Sequence, residues 1–115
     1  MRLVFCEAPA FSRVRDEYFD EASFSALLDT LQKQPRLGEV ITGTGGLRKL
    51  RWRDPRHGQG KRGGLRVIYY FWDEHSQLYL MTVYRKNEMS DLKPEHKRAL
   101  KAMIETEERT RRLNQ

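Results

Sequence analysis

The chain has one cysteine, Cys6, in 115 residues. No internal disulfide can form, and a structural zinc site would lack its thiolate pair. A lone cysteine suits a reducing compartment. His57, His75 and His96 show no paired spacing, so neither a metal nor another cofactor is expected. No stretch approaches the ~18 consecutive apolar residues of a membrane span. The opening "MRLVFCEAPAF" holds too short an apolar run for a signal peptide, and Glu7 interrupts it. These absences describe a cytoplasmic protein that keeps away from membranes. The glycine-rich pieces "GTGG" and "GQGKRGG" miss the spacing of a mononucleotide loop, and "GKR" lacks the Ser/Thr that would hold magnesium.

Carboxylates are missing from one place in particular. Residues 48–66 carry Arg48, Lys49, Arg51, Arg53, Arg56, Lys61, Arg62 and Arg66, against Asp54 alone. The formal net charge is +6, unevenly spread: −2 over residues 1–47 and +8 over residues 48–115. A localised excess of this kind speaks of partners rather than of fold. The anions that would answer it are nucleic acid, a membrane surface or an acidic protein.

The remaining pattern is that of one globular domain, residues 1–115, with twelve aromatics and an ordinary apolar fraction. "RLVFCE" (2–7) reads as a strand that Ala-Pro breaks. Phe11, Val14 and Tyr18 repeat at helical spacing over about residues 10 to 18. Asp20 is placed to cap a second helix, on which Phe24, Leu27, Leu28 and Leu31 form one face and which Pro35 stops. "GEVITGTGG" (38–46) is glycine-rich and partly extended. "LRKLRW" (47–52) alternates, with Leu50 and Trp52 on one face and Lys49 and Arg51 on the other. Residues 53–64 form a turn or loop. "LRVIYYFW" (65–72) and "LYLMTVY" (78–84) are apolar on both faces, as inner strands are. "DEHSQ" turns between them. Residues 94–112 form a helix begun by Pro94, with Leu100, Met103 and Ile104 as its buried stripe. The class is α+β: helices on one side of an antiparallel meander, cations on the other.

A basic strand face beside a basic loop is suited to nucleic acid. Phosphate contacts release counterions and provide sequence-independent affinity. Tyr69, Tyr70, Trp72, Tyr79 and Tyr84 lie on neighbouring strands; any that face the basic side would stack bases, and the rest belong to the core. A DNA-reading role is weaker, because no helix presents base-reading residues clear of its packing stripe.

The pieces "GTGGLRKLRW", "GKRGGLRVIYYFWDE" and "LYLMTVYRKNEMSDL", followed by the closing helix, resemble the RelE superfamily of bacterial toxins, in its HigB-like branch. The resemblance runs through nearly the whole chain in order. It implies a RelE-like fold, with an N-terminal strand and helix pair packed on an antiparallel sheet meander and a C-terminal helix. It implies a ribosome-dependent, metal-independent endoribonuclease of a type II toxin–antitoxin system that cuts mRNA in the ribosomal A site. The partners would be the ribosome, mRNA and a HigA-like helix-turn-helix antitoxin, with DNA touched only through that antitoxin. Cleavage would proceed by 2′-OH attack, with Lys and Arg stabilising the charge that grows on the phosphoryl oxygens.

Carried onto this chain, the family's basic positions match Lys49, Arg51, Arg66 and Lys86. Arg66 and Lys86 would hold the scissile phosphate, and Lys49 or Arg51 would act at the attacking or leaving oxygen. Arg48, Lys61, Arg62 and Arg85 would contact ribosomal or messenger backbone. Several relatives have a tyrosine or histidine just after the last strand, where this chain has "NEMSDLK". Tyr84, Glu88 or a lysine would then serve as acid or base, while Glu88 and Asp91 also read simply as charges before the terminal helix. The alternative function is a non-catalytic ribosome- or RNA-binding regulator on the same surface.

Overall fold

The computed structural model describes residues 2–55 and 64–113. Strand β1 (Val4–Glu7) is followed by helices α1 (Pro9–Tyr18) and α2 (Glu21–Lys33). Then come β2 (Glu39–Val40), β3 (Arg48–Trp52), β4 (Leu65–Trp72), a short 3-10 turn (Asp73–His75), β5 (Gln77–Arg85) and helix α3 (Pro94–Leu113). The five strands form one sheet in the order β1-β5-β4-β3-β2. β4 is the central strand, as its two apolar faces predict.

The helices start and stop for local reasons. Asp20 caps α2 reciprocally: its carboxylate accepts the Ser23 N–H at 2.7 Å, and Ser23 Oγ accepts the Asp20 N–H at 3.0 Å. Such a cap is worth about 1 kcal/mol. The helix ends at Lys33, before Pro35. At the start of α3, His96 Nδ1 accepts the Lys93 N–H at 3.2 Å. Histidine thus supplies the third-position half of a capping box that the sequence does not announce.

Two aspects of the architecture depart from expectation. β2–β5 pair antiparallel, but β1 joins β5 in parallel, Val4 opposite Gln77, so the sheet is mixed. The helices also lie on both faces. Phe11, Tyr18, Phe19, Leu27 and Leu31 of the helix pair and its connection pack against Leu50, Leu65, Val67, Tyr69, Leu80 and Val83. Leu100 and Ile104 of α3 pack against Ile68, Met81 and Tyr84 on the opposite face. The apolar residues of β4 point both ways and need covering twice; α3 supplies the second cover. Met103, expected in its stripe, is 40% exposed, whereas Leu100 and Ile104 are buried.

A register break in the β4–β5 ladder decides which face Tyr84 takes. Ile68 stands opposite Thr82 but Tyr69 stands opposite Leu80, leaving Met81 as an extra residue in β5. Before the break, Leu78 and Leu80 face the helix pair and Tyr79 and Met81 face α3; after it, Val83 faces the pair and Tyr84 faces α3. A bulge shifts the alternation by one residue. Without it Tyr84 would share the face of Leu80, buried under α1 and α2.

Candidate nucleic-acid interface

Antiparallel pairing places Arg51 opposite Arg66, and Arg66 opposite Tyr84, so one row crosses three strands. Lys49, two residues from Arg51, stands opposite Ile68 on the same face. Side chains directly opposite one another have Cβ atoms about 5 Å apart. β3 was expected to carry a basic face and does: Leu50 is buried in the core while Arg51 is exposed. Beyond β5, the Lys86 N–H donates to the Gly64 carbonyl at 3.0 Å. The ladder is thereby prolonged by one residue, and Lys86 is exposed at the sheet end where Arg66 lies. Lys49, Arg51, Arg66, Tyr84 and Lys86 are therefore gathered on the α3 side of the sheet, with Tyr84 at the edge of the core that Leu100 and Ile104 form.

The row is electrostatically unusual. Arg66 is 3% exposed. Burial and then the Arg51 guanidinium lower its pKa, opposed by Tyr84 and Asp91. Like charges opposite one another in a sheet are destabilising, and a charge out of water is costly. Tyr84 is buried too, and its hydroxyl has no hydrogen-bond partner among the described residues. Burial raises its pKa, with the Asp91 carboxylate adding to the rise and Arg66 opposing it. A phenol in this setting stays protonated and can donate.

Asp91, which the sequence offers simply as a charge before the terminal helix, belongs to this site. From the turn before α3 it reaches Lys49, with Oδ1 3.4 Å from Nζ, while accepting the Leu92 N–H at 2.8 Å. Partial burial pushes its carboxyl up, but the Leu92 bond and the Lys49 and Lys97 ammonium groups outweigh this and leave the pKa below its usual value. No spacing rule links positions 49 and 91; only the fold does.

Other expected positions lie elsewhere. Arg48 donates to the carbonyls of Arg36 and Gly38, at 3.1 and 2.7 Å, and so ties β3 to the segment after α2. Arg85 turns to the helix-pair side. It donates to Asp54 Oδ2 at 2.9 Å and to the Glu17 carbonyl at 3.2 Å, and its guanidinium lies 4.6 Å from the Tyr18 ring centre. Glu88 is there as well, accepting from the Tyr18 hydroxyl at 2.8 Å and the Arg85 N–H at 2.9 Å. Lys61, Arg62 and His57 lie outside the described residues. Among the aromatics, Tyr69 is core, its hydroxyl donating to the Pro35 carbonyl and accepting the Gly38 N–H. Tyr70 and Tyr79 pack with the α3 core. Trp72 is covered by Arg111, whose guanidinium sits 4.1 Å from the ring centre. Tyr84 is thus the one of these five in the basic row.

No protein-family model matches the chain. Solved structures do resemble it. A mutant of Escherichia coli toxin RelE in the free state matches with TM-score 0.52 and 16% identity, over 78% of this chain and 90% of that one. The RelBE2 toxin–antitoxin complex of Mycobacterium tuberculosis matches with TM-score 0.53 and 16% identity, over 74% of this chain and 99% of the matched chain. The intact E. coli RelBE toxin–antitoxin complex matches with TM-score 0.51 and 14% identity, over 70% and 93%. The strand, helix pair, meander and closing helix of this protein together form a RelE-like fold.

Proposed function

We propose that the protein is the toxin of a type II toxin–antitoxin system: an endoribonuclease that holds RNA phosphate on the Lys49–Arg51–Arg66–Lys86 face and cleaves beside it. The observation that carries this reading is the row Arg51, Arg66, Tyr84. It joins two directly opposed cations to a protonated phenol without a partner among the described residues. A fold gains nothing from opposing two arginines. A dianionic phosphorane-like transition state gains a great deal, since preorganised donors aimed at developing charge stabilise it more than the substrate.

In the proposed step the ribose 2′-hydroxyl gives its proton to water as its oxygen attacks the adjacent phosphorus, and the bond to the 5′-oxygen breaks, leaving a 2′,3′-cyclic phosphate and, once that oxygen is protonated, a free 5′-hydroxyl. Arg66 and Lys86 grip the non-bridging oxygens; arginine's planar fork can engage two of them. Lys49 and Arg51 offset charge at the attacking or leaving oxygen. Tyr84, held protonated, donates to the departing 5′-oxygen. Arg48 and Arg85 have structural duties and are left out of this assignment.

The finer reading is cleavage of mRNA in the ribosomal A site, in the cytoplasm, under control of a HigA-like helix-turn-helix antitoxin. It rests on the motifs "GTGGLRK", "GKRGGLRVIYY" and "KNE", and on the pairing of toxin with antitoxin in two of the similar structures. Purified protein added to a translating bacterial extract should cut mRNA and leave cyclic-phosphate ends. Arg66→Met and Lys86→Ala should each lose that activity, and relieve growth arrest in cells, with unchanged circular dichroism. Binding to ribosomes or RNA without any cleavage would instead establish the non-catalytic regulator.

A further inference from the structure

We infer that Asp91 is a built-in competitor for the phosphate-binding cations, one that sets how tightly the protein takes RNA not otherwise held in place. The inference rests on the RNA-cleaving reading of the same face. The Asp91 carboxylate lies 3.4 Å from Lys49 Nζ and acts electrostatically on both Arg66 and Tyr84. A phosphate bound by Lys49 and Arg66 would have to share those cations with it. Two anions on one set of cations repel, so the carboxylate either gives way or weakens the phosphate.

The contact is constructed so that it can give way. Asp91 is 58% exposed along its side chain, whereas Lys49 is 24% exposed. A half-exposed pair at this separation contributes little to stability. Among the described residues, Asp91 is otherwise held by the Leu92 N–H and by the charges of Lys97 and Arg66, in the turn between β5 and α3. The protein thus carries a weak, displaceable anion over a face that would otherwise attract any polyanion. RNA delivered in a fixed position by other contacts can displace it; a free strand gains less. Specificity obtained by penalising the wrong ligand is a general device, and here it answers why so basic a surface would not be occupied by bulk RNA.

Asp91→Asn removes the charge and retains an oxygen for the Leu92 N–H. Binding of a short 2′-O-methyl RNA, which cannot be cleaved, is followed by fluorescence anisotropy for wild type, Asp91→Asn, Lys49→Ala and the double variant over a range of salt. Asp91→Asn should tighten Kd by roughly fivefold at low salt and steepen the salt dependence by about one ion, since one more cation becomes available to phosphate. The gain should shrink in the Lys49→Ala background, where the competitor has lost its closest target. An unchanged or weaker Kd in Asp91→Asn, with circular dichroism intact, would overturn the competitor while leaving the nuclease reading in place. An unchanged Kd with lost mRNA cleavage would make Asp91 a proton acceptor instead. Absence of RNA binding in every form, at any salt, would remove the RNA reading itself and this inference with it.

Discussion

Arg51 and Arg66 stand directly opposite each other on adjacent antiparallel strands, the first exposed and the second almost wholly buried. Their mutual repulsion is built into the sheet, since sliding β3 or β4 by one residue would turn every core side chain on that strand to the other face. The core therefore enforces a charge arrangement that the isolated strands would avoid. Strain of this kind is expected where stability is exchanged for function.

Removing the exposed member tests that exchange. Arg51→Gln should stabilise the fold by about 0.5 kcal/mol, the scale of a like-charge cross-strand pair. That corresponds to about 2–3 °C in Tm for a chain of this size. The gain should fade as salt rises, because the pair is partly in solvent. Cleavage in the translating extract should fall by about 10²-fold over the same change. A Tm that falls together with activity would mean that Arg51 supports the fold.

Tyr84 should separate the same two readouts. Its buried hydroxyl has no partner among the described residues, so Tyr84→Phe removes an unsatisfied polar group and nearly nothing else. Stability should stay within about 1 kcal/mol of wild type, on the favourable side. Cleavage should drop by about 10²–10⁴-fold if the phenol protonates the leaving oxygen. The measurements are urea unfolding and single-turnover cleavage.

The basic face was legible because strand alternation is local: "LRKLRW" fixes which side Lys49 and Arg51 take without any other part of the chain. Arg66 was legible as the one charge in an apolar strand. The face of Tyr84 was not, because "LYLMTVY" is apolar throughout and hides the Met81 bulge that turns the alternation over. Arg85 and Arg48 looked like surface cations because their partners are far away in sequence, Asp54 and Glu17 for one and the carbonyls of Arg36 and Gly38 for the other. The position of α3 followed the same rule. Its stripe was plain, but which sheet face would receive it depended on β4 having two faces to cover.

Arg85 therefore should matter for folding before anything else. Asp54 is 1% exposed and lies 2.9 Å from Arg85 Nε. Deleting either member removes a 2.9 Å charge-assisted bond between two largely buried groups, at a cost of about 3 kcal/mol. Asp54→Ala should lower the urea midpoint accordingly, without altering the slope of the transition. Arg85→Ala should abolish toxicity with loss of circular dichroism, whereas Lys86→Ala should abolish it with the spectrum intact. A folded, inactive Arg85→Ala would return that residue to the proposed RNA-binding surface.

The sheet face beneath α1 contains a proton linkage, readable at high pH. Burial, followed by the hydrogen bond to Glu88, pushes the Tyr18 phenol from 10.0 up to about 12. The folded protein then keeps a proton between those values that the unfolded chain gives up, so unfolding there releases one. Stability from this group is complete below pH 10 and is lost as pH rises towards 12. Glu88 shows the opposite sign. The Arg85 N–H lowers its pKa most, burial opposes it, and the Tyr18 hydroxyl and the Arg85 guanidinium tip the balance downward. Its contribution is present at neutral pH and is lost as pH falls through the carboxylate range. Glu88→Gln should flatten the stability profile at both ends, because it removes the negative charge beside the Tyr18 hydroxyl as well as the acid, while the amide oxygen can still accept. Phenolate absorbance should then show one tyrosine titrating earlier than in wild type, while Asp91→Asn leaves that tyrosine unmoved. A Glu88→Gln protein with an unaltered alkaline titration would mean that burial alone, and not the Glu88 carboxylate, holds the Tyr18 phenol up.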